Sequence, residues 1–290
     1  MAVKKVMLGF FCFLQSLAFA QETQSKAVHF DKEQVAAYNA SASNLQEYVQ
    51  RIIDCQFFAG AQQILDVGCG DGKITAFIAK KLSESFIVGC DISSSMIDFA
   101  KGHYGAPEYP NLAFVEKNAR KMDYKNEFDR VISFNCLHWI DDQQQALDGI
   151  YSSLKPGGRA FLIACPKSLE DDLQMLCRKL VVSPKWARSF RDYKGTHSFH
   201  TPEEYKSMLL KSNFTIEKLR PFVREVVFDD RQSVETLFKA VLTPMHHLPE
   251  DQRSAFLNDV FQELEKKDCI EKNGKVHLHF AQIELLVAKN

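Results

Sequence analysis

The chain has 290 residues, enough for one elaborated domain or two small ones, and 46% hydrophobic with 25% charged residues is ordinary for a globular protein. With 36 Lys and Arg against 37 Asp and Glu the net charge is -1, so nothing global favours nucleic acid or an anionic membrane surface, and a small-molecule partner is expected. Eight cysteines, one of them Cys12 near the start, leave an odd seven that sit mostly in apolar runs and define no metal site.

Residues 1–20 read as a leader. Lys4 and Lys5 precede an apolar run, Val6 to Leu14, and the segment closes on Ala18-Phe19-Ala20 before a polar stretch. That is the tripartite pattern of a secretory signal, and the run is too short for a membrane-spanning helix of about 20 residues. An amphipathic cytosolic leader or a misplaced start codon is the alternative. Residues 21–60 form a helical lead-in, with Val35, Tyr38, Leu45, Val49, Ile52 and Ile53 at helical spacing.

The most informative stretch follows. Gln63-Ile64-Leu65-Asp66-Val67 is an apolar strand that ends on an acid and breaks into Gly68-Cys69-Gly70-Asp71-Gly72. The glycines permit a sharp turn and a close backbone approach to a nucleotide-like ligand. A dinucleotide fingerprint would need a further glycine at position 73, which is Lys73. A helix follows with Ile74, Phe77, Ile78 and Leu82 on one face, then a second strand, Phe86 to Cys90, ending on Asp91, whose carboxylate suits both hydroxyls of an unphosphorylated ribose. Ser93 or Ser94 caps the next helix, to His103. The third strand is Leu112 to Glu116, before Asn118-Ala119, and the fourth is Phe128 to Asn135, running into Cys136-Leu137-His138-Trp139. A helix from Asp141 to Leu154 stops at Lys155-Pro156-Gly157-Gly158 before a fifth strand, Arg159 to Ala164. Residues 167–212 mix aromatics and cations: a helix near 169–182, then Trp186, Arg188, Arg191, His197 and His200. Thr201-Pro202-Glu203-Glu204 starts a helix. The sixth strand lies within 214–227, helices within 233–242 and 249–267, and a last strand runs from His277 to Ala288, with His246-His247 read as loop rather than as ligands.

From Gln63 to about Pro166 the chain resembles the class I S-adenosylmethionine-dependent methyltransferases: the Asp-x-Gly-x-Gly-x-Gly loop, the acid ending strand two, Phe128-Asp129, and Leu-Lys-Pro-Gly-Gly before strand five. The Leu-His-Trp corner resembles the small-acid carboxyl methyltransferases of trans-aconitate and juvenile hormone acid type. The resemblance implies an α/β, Rossmann-like, seven-stranded and mostly parallel sheet with helices on both faces and a helical lid after strand five. Residues 61–166 would be the cofactor-binding core, 167–212 the lid, and 213–290 the completion of the same domain. It implies S-adenosylmethionine as cofactor, held by Asp66, Gly68, Gly70, Gly72, Asp91, Ile92, Asn118, Ala119 and Asn135, with Tyr38 as a wall. Asn118 stands where the family usually has Asp. His138 and Trp139 would face the reacting groups, and Trp186, Arg188, Arg191, His197 and His200 the acceptor.

Methyl transfer from a sulfonium is an in-line displacement that gains mostly from alignment and desolvation. An acid acceptor is already ionised and needs only an orienting donor or cation, whereas a hydroxyl or amine would use His138 as a base. A non-catalytic cofactor-binding protein is the third reading. The leader points to export and the cofactor to the cytosol, and both stay open.

Overall fold

A computed structural model describes residues 31–41, 45–167 and 172–290; the leader expected at 1–20 lies outside them. The lead-in is two helices, α1 (Lys32–Ser41) and α2 (Leu45–Asp54). Strands β1 (Gln63–Val67), β2 (Phe86–Asp91), β3 (Leu112–Glu116), β4 (Phe128–Phe134), β5 (Leu154–Ala164), β6 (Thr215–Phe228) and β7 (Val276–Ala288) form one seven-stranded sheet in the order β3-β2-β1-β4-β5-β7-β6. Only β7 runs against its neighbours β5 and β6.

Strands β1 and β4 are apolar on both sides because both sides are covered. Leu65, Val67 and Val131 join the core under α5 (Gln143–Ser153) and α7 (Pro202–Lys211), while Ile64 and Ile132 join the opposite core under α2 and α3 (Lys73–Lys81). This is the continuous hydrophobic reading of a parallel strand. Phe128 is buried, and Asp129 accepts from Gln62 N–H (3.0 Å) and Gln63 N–H (2.9 Å), tying the start of β4 to that of β1.

Helix α4 (Ser94–His103) is capped by Ser93, whose Oγ accepts from Met96 N–H. Thr201 and Glu204 form the expected capping box of α7. The Lys155 to Gly158 stop is not a separate turn: β5 begins at Leu154, paired with Phe128, and resumes with Arg159 opposite Arg130, so the four residues form a bulge. Pro221 falls inside β6, where it is tolerated because this edge strand pairs only with β7.

Beyond β5 the chain builds a second core. Strand β7 pairs with β5 over 283–288 only, and its first half runs on with β6 past the rest of the sheet. Helices α6 (Leu173–Val181), α8 (Arg231–Val241), α9 (Thr243–His247) and α10 (Glu250–Lys266) pack on that ribbon through Leu176, Phe238, Met245, Phe256 and Phe261, against Val226, Phe228 and Leu278. His246 and His247 thus lie in a helix and not in a loop. The last two strands pair antiparallel at the sheet edge and are joined through α8, α9 and α10. Among its described residues, the stretch expected as a helical lid holds the nine-residue helix α6, then turns and irregular chain, then α7. Among the described residues no helix is long and apolar enough to cross a membrane.

Trp186 closes this second core, 4% exposed, with its ring edge-on to Phe256 at 5.2 Å and its indole N–H donated to Asp259 at 2.6 Å. Trp186→Ala is expected to cost about 3–5 kcal/mol of stability, read from the urea midpoint; a midpoint unchanged from wild type would contradict this packing role.

Candidate functional site

The loop after β1 turns on three residues with left-handed backbone: φ is +75° at Gly68, +55° at Gly70 and +78° at Gly72. At Gly68 and Gly72 side chains are excluded by space as well as by strain. A Cβ on Gly72 would lie 2.6 Å from Phe114 Cζ, and one on Gly68 would run into Cys136. The loop is tied to β2 by Gly68 N–H to Cys90 C=O (2.7 Å) and by Gly70 N–H to Asp91 Oδ2 (3.0 Å). Asp91 Oδ1 accepts from Ser93 N–H at 2.9 Å, so the carboxylate is set between the loop and the start of α4.

A cleft opens above this loop, lined by Tyr38, Asp66, Gly68, Cys69, Asp71, Ile74 and Phe134. Helix α1 forms its outer wall: Tyr38 Cε1 is the nearest atom to a Cβ built on Gly70, and Asn39 Nδ2 donates to Asp71 Oδ2 at 2.7 Å. Burial, with Asp71 and Asp91 nearby, pushes the Tyr38 phenol up. Asp66 is 2% exposed and accepts from Thr75 Oγ1–H at 2.7 Å. Burial raises its pKa to about 7, against the smaller lowering effect of that hydrogen bond.

The second part of the site is the 3₁₀ turn Leu137–Trp139 after β4. Asn135 adopts φ +53°, unusual for a residue other than glycine, and its Oδ1 accepts from Gln282 Nε2 on β7 at 3.1 Å. His138 is 5% exposed, and its Nδ1 accepts from Cys165 N–H at the end of β5, 3.2 Å away. The rings of His197 and Phe199 stack on His138 at 5.5 and 6.1 Å, and Trp139 meets His197 at 4.1 Å. Burial, and secondarily His197, hold the His138 pKa well below the ordinary value; burial lowers that of His197 to about 4. Both rings are therefore neutral at neutral pH.

Residues 64–158 match the family described as "Methyltransferase domain". The chain thus carries a methyltransferase domain, whose cofactor is S-adenosylmethionine. It is similar to the juvenile hormone acid O-methyltransferase of Drosophila melanogaster, at 27% identity over 69% of this chain and 70% of that protein. It is also similar to the trans-aconitate 2-methyltransferase of Escherichia coli, at 22% identity over 79% of this chain and 86% of that one. In fold it resembles the Haemonchus contortus phosphoethanolamine N-methyltransferase 2 solved with S-adenosyl-L-methionine, with a TM-score of 0.56 at 16% identity, covering 88% of this chain and 56% of that one.

In this methyltransferase the residues expected around the cofactor converge on the carboxyl edge of β1, β2 and β4. Asp66, Gly68 and Tyr38 line the cleft, and Gly70, Gly72 and Asp91 build its loop. Ile92 is part-buried beside Asp91. Asn118 caps the 3₁₀ turn Ala119–Lys121, its Oδ1 accepting from Arg120 N–H at 2.9 Å, and Ala119 packs on the core beneath. The expected acceptor residues separate. His197 joins His138 and Trp139, whereas His200 turns to Glu204 (3.5 Å) and the Tyr205 ring. Arg188 and Arg191 are exposed and Trp186 is committed to the second core. Asn39, Asp71, Thr75 and Phe199 are additions. Asp71 and Thr75 carried a signal, a second acid between the glycines and a hydroxyl one turn into α3; the roles of Asn39 and Phe199 depend on long-range packing.

Asp66 gives a pH dependence whose sign follows from its raised pKa. The unfolded chain releases this proton near pH 4 and the folded one near 7, so its contribution to stability is fully present below about 4 and is lost as pH rises to about 7. Urea midpoints of the cofactor-free enzyme are expected to fall between pH 5 and 7.5 more steeply in wild type than in Asp66→Asn; equal slopes would show that Asp66 ionises normally.

Proposed function

We propose that the enzyme methylates a carboxylate oxygen of a small organic acid, and that its acceptor stands at the corner formed by His138, Trp139, His197 and Phe199. The observation that carries this reading is the hydrogen bond from Cys165 N–H to His138 Nδ1. In a neutral imidazole one nitrogen accepts and the other donates; with Nδ1 accepting, the proton sits on Nε2. His138 then offers a donor and no free base, and its lowered pKa opposes taking up a second proton.

An alcohol or ammonium acceptor must lose a proton to become a nucleophile, but a carboxylate is already ionised at neutral pH. A neutral donor can orient such an anion without quenching it as a cation would. The surrounding rings exclude water, which favours a displacement in which charge is neutralised. The bound cofactor supplies an electrophilic methyl on a sulfonium. A carboxylate oxygen bonds to the methyl carbon as the carbon–sulfur bond breaks, its electron pair goes to sulfur, and a methyl ester and S-adenosylhomocysteine result. The similarity to two methyltransferases named for acids supports the same class.

On the cofactor side the residues fit the group. Of the three glycines, Gly70 is the one where a Cβ would meet nothing nearer than Tyr38 Cε1 at 3.5 Å, Asp91 ends β2 beside it, and Tyr38 and Ile92 supply apolar flanks. Asp91 would take the ribose hydroxyls, at about 1.5–3 kcal/mol per hydrogen bond to a charged acceptor. Asp91→Ala is expected to weaken S-adenosylhomocysteine binding at least about tenfold by calorimetry; unchanged affinity would remove Asp91 from the site.

His138→Gln, which keeps a neutral N–H donor, is expected to retain most turnover of the acid, while His138→Ala loses about ten- to a hundredfold. Both should be assayed with labelled S-adenosylmethionine and a panel of acids, alcohols and amines. Because His138 and His197 are held neutral, kcat/KM should be flat from about pH 5.5 to 8, where an ordinary histidine titrates. A limb rising through pH 6.5, or turnover of a phenol or amine and of no acid, would make His138 a base and the acceptor a hydroxyl or amine.

A further inference from the structure

The wall of the acceptor corner is not part of any regular element. Residues 197–200 are irregular chain between α6 and α7, and a segment of that kind, carrying two aromatic rings, has no internal hydrogen bonds to hold them in place. Ser198 provides the missing restraint through its backbone. Its N–H donates to His138 C=O at 2.8 Å, and its C=O accepts from Gln143 Nε2 at 2.6 Å. Both partners belong to the chain just after β4: His138 in the corner itself, Gln143 in the first turn of α5. Two residues on, Lys167 N–H donates to His200 C=O at 2.8 Å and closes the far end of the segment.

The bracket explains the ring geometry. With Ser198 held on both backbone groups, the residues on either side of it, His197 and Phe199, stack on the same imidazole of His138, and on each other at 5.2 Å. Of the two partners of Ser198, His138 acts through its backbone and Gln143 through its side chain. Gln143 is 1% exposed, far more buried than a polar residue in the first turn of a surface helix needs to be.

We propose that Gln143 is a positioning residue for the acceptor: it clamps the Ser198 carbonyl and thereby sets His197 and Phe199 against His138, so that it governs acceptor recognition without touching the cofactor loop. Replacing it by Ala leaves a buried carbonyl without a donor, which the wall relieves by moving out into solvent. Replacing it by Glu is sharper. The ionised carboxylate has no donor and repels the carbonyl, whereas the protonated acid recovers one O–H donor, so the clamp re-forms as pH falls.

Gln143→Ala is expected to raise KM for the acid acceptor by at least about tenfold while calorimetry with S-adenosylhomocysteine shows unchanged affinity. Gln143→Glu should show the same defect at pH 8 and recover toward wild type near pH 5.5. A third readout needs no acceptor. The His197 imidazole, held at about 4 by burial, should move in Gln143→Ala toward its ordinary value of about 6.5 in an NMR titration of the cofactor-free enzyme.

The acceptor measurements rest on the proposed function, but the titration does not. No acid turned over, with a shifted His197, would sink the functional reading and leave the clamp standing. His197 still near 4 in Gln143→Ala, or an acceptor KM unchanged in both variants, would overturn the clamp. Loss of S-adenosylhomocysteine affinity in both variants, with no recovery of the Glu variant at low pH, would also overturn it, by showing a general structural role.

Discussion

Everything at the cofactor edge depends on there being no room for a side chain at Gly68 and Gly72. The turn after β1 passes so close to Cys136 and Phe114 that a Cβ would overlap them, and its positive φ angles are those that only glycine adopts cheaply. That closeness lets Gly70 N–H reach the Asp91 carboxylate and Gly68 N–H reach Cys90 C=O. The loop, the end of β2 and the start of α4 are thereby fixed relative to one another. A cofactor laid across this edge meets a surface whose backbone is already placed, which is the condition for aligning a methyl donor with its acceptor.

Three acids stand within or beside this loop, and their environments keep them distinct. Asp66 lies in the dry interior under Thr75 and resists ionisation up to about pH 7. Asp71 is also raised by burial, but it is turned outward to Asn39 of α1. Asp91 is occupied by two backbone N–H groups. The same residue type thus serves as an interior hydrogen-bond acceptor, as a tie to the covering helix, and as the group presented at the end of a strand.

The proposed acceptor corner follows a different logic. It is assembled where β4, β5 and an irregular segment from residues 197–200 meet, and it is built from neutral rings held by backbone hydrogen bonds. The long β6/β7 ribbon and its helices form a second core that anchors the segment between β5 and α7 at two points: Asp172 caps α6 and accepts from Ala281 N–H of β7, and Trp186 is sealed against α10. The chain that returns to the corner is therefore short and has little freedom in where it can place His197. The cations that look suited to an acid in the sequence, Arg188 and Arg191, lie on the outer side of that anchor and face solvent.

What could be read from the amino-acid sequence was whatever depends on local order. The strand-and-glycine register of Gln63 to Gly72, the acid ending β2, the caps at Ser93 and Thr201, and the sheet as a whole rest on periodicity and turn chemistry that act over a few residues. These residues carried the resemblance to the methyltransferases, and that resemblance implied the class and its cofactor. Tertiary structure decided the rest, because a side chain's role there depends on partners far along the chain. That Asn118 caps the turn after it, accepting from Arg120 N–H, became visible only with the fold. Trp186, Arg188, Arg191, His197 and His200 formed one aromatic and basic group in the sequence, yet packing sent Trp186 to Phe256 and Asp259, both arginines to solvent, His200 to Glu204, and only His197 to His138. The proton position on His138 was equally open in sequence. It is set by Cys165 N–H, 27 residues away and just past the end of β5, because burial leaves an imidazole no water to choose for it.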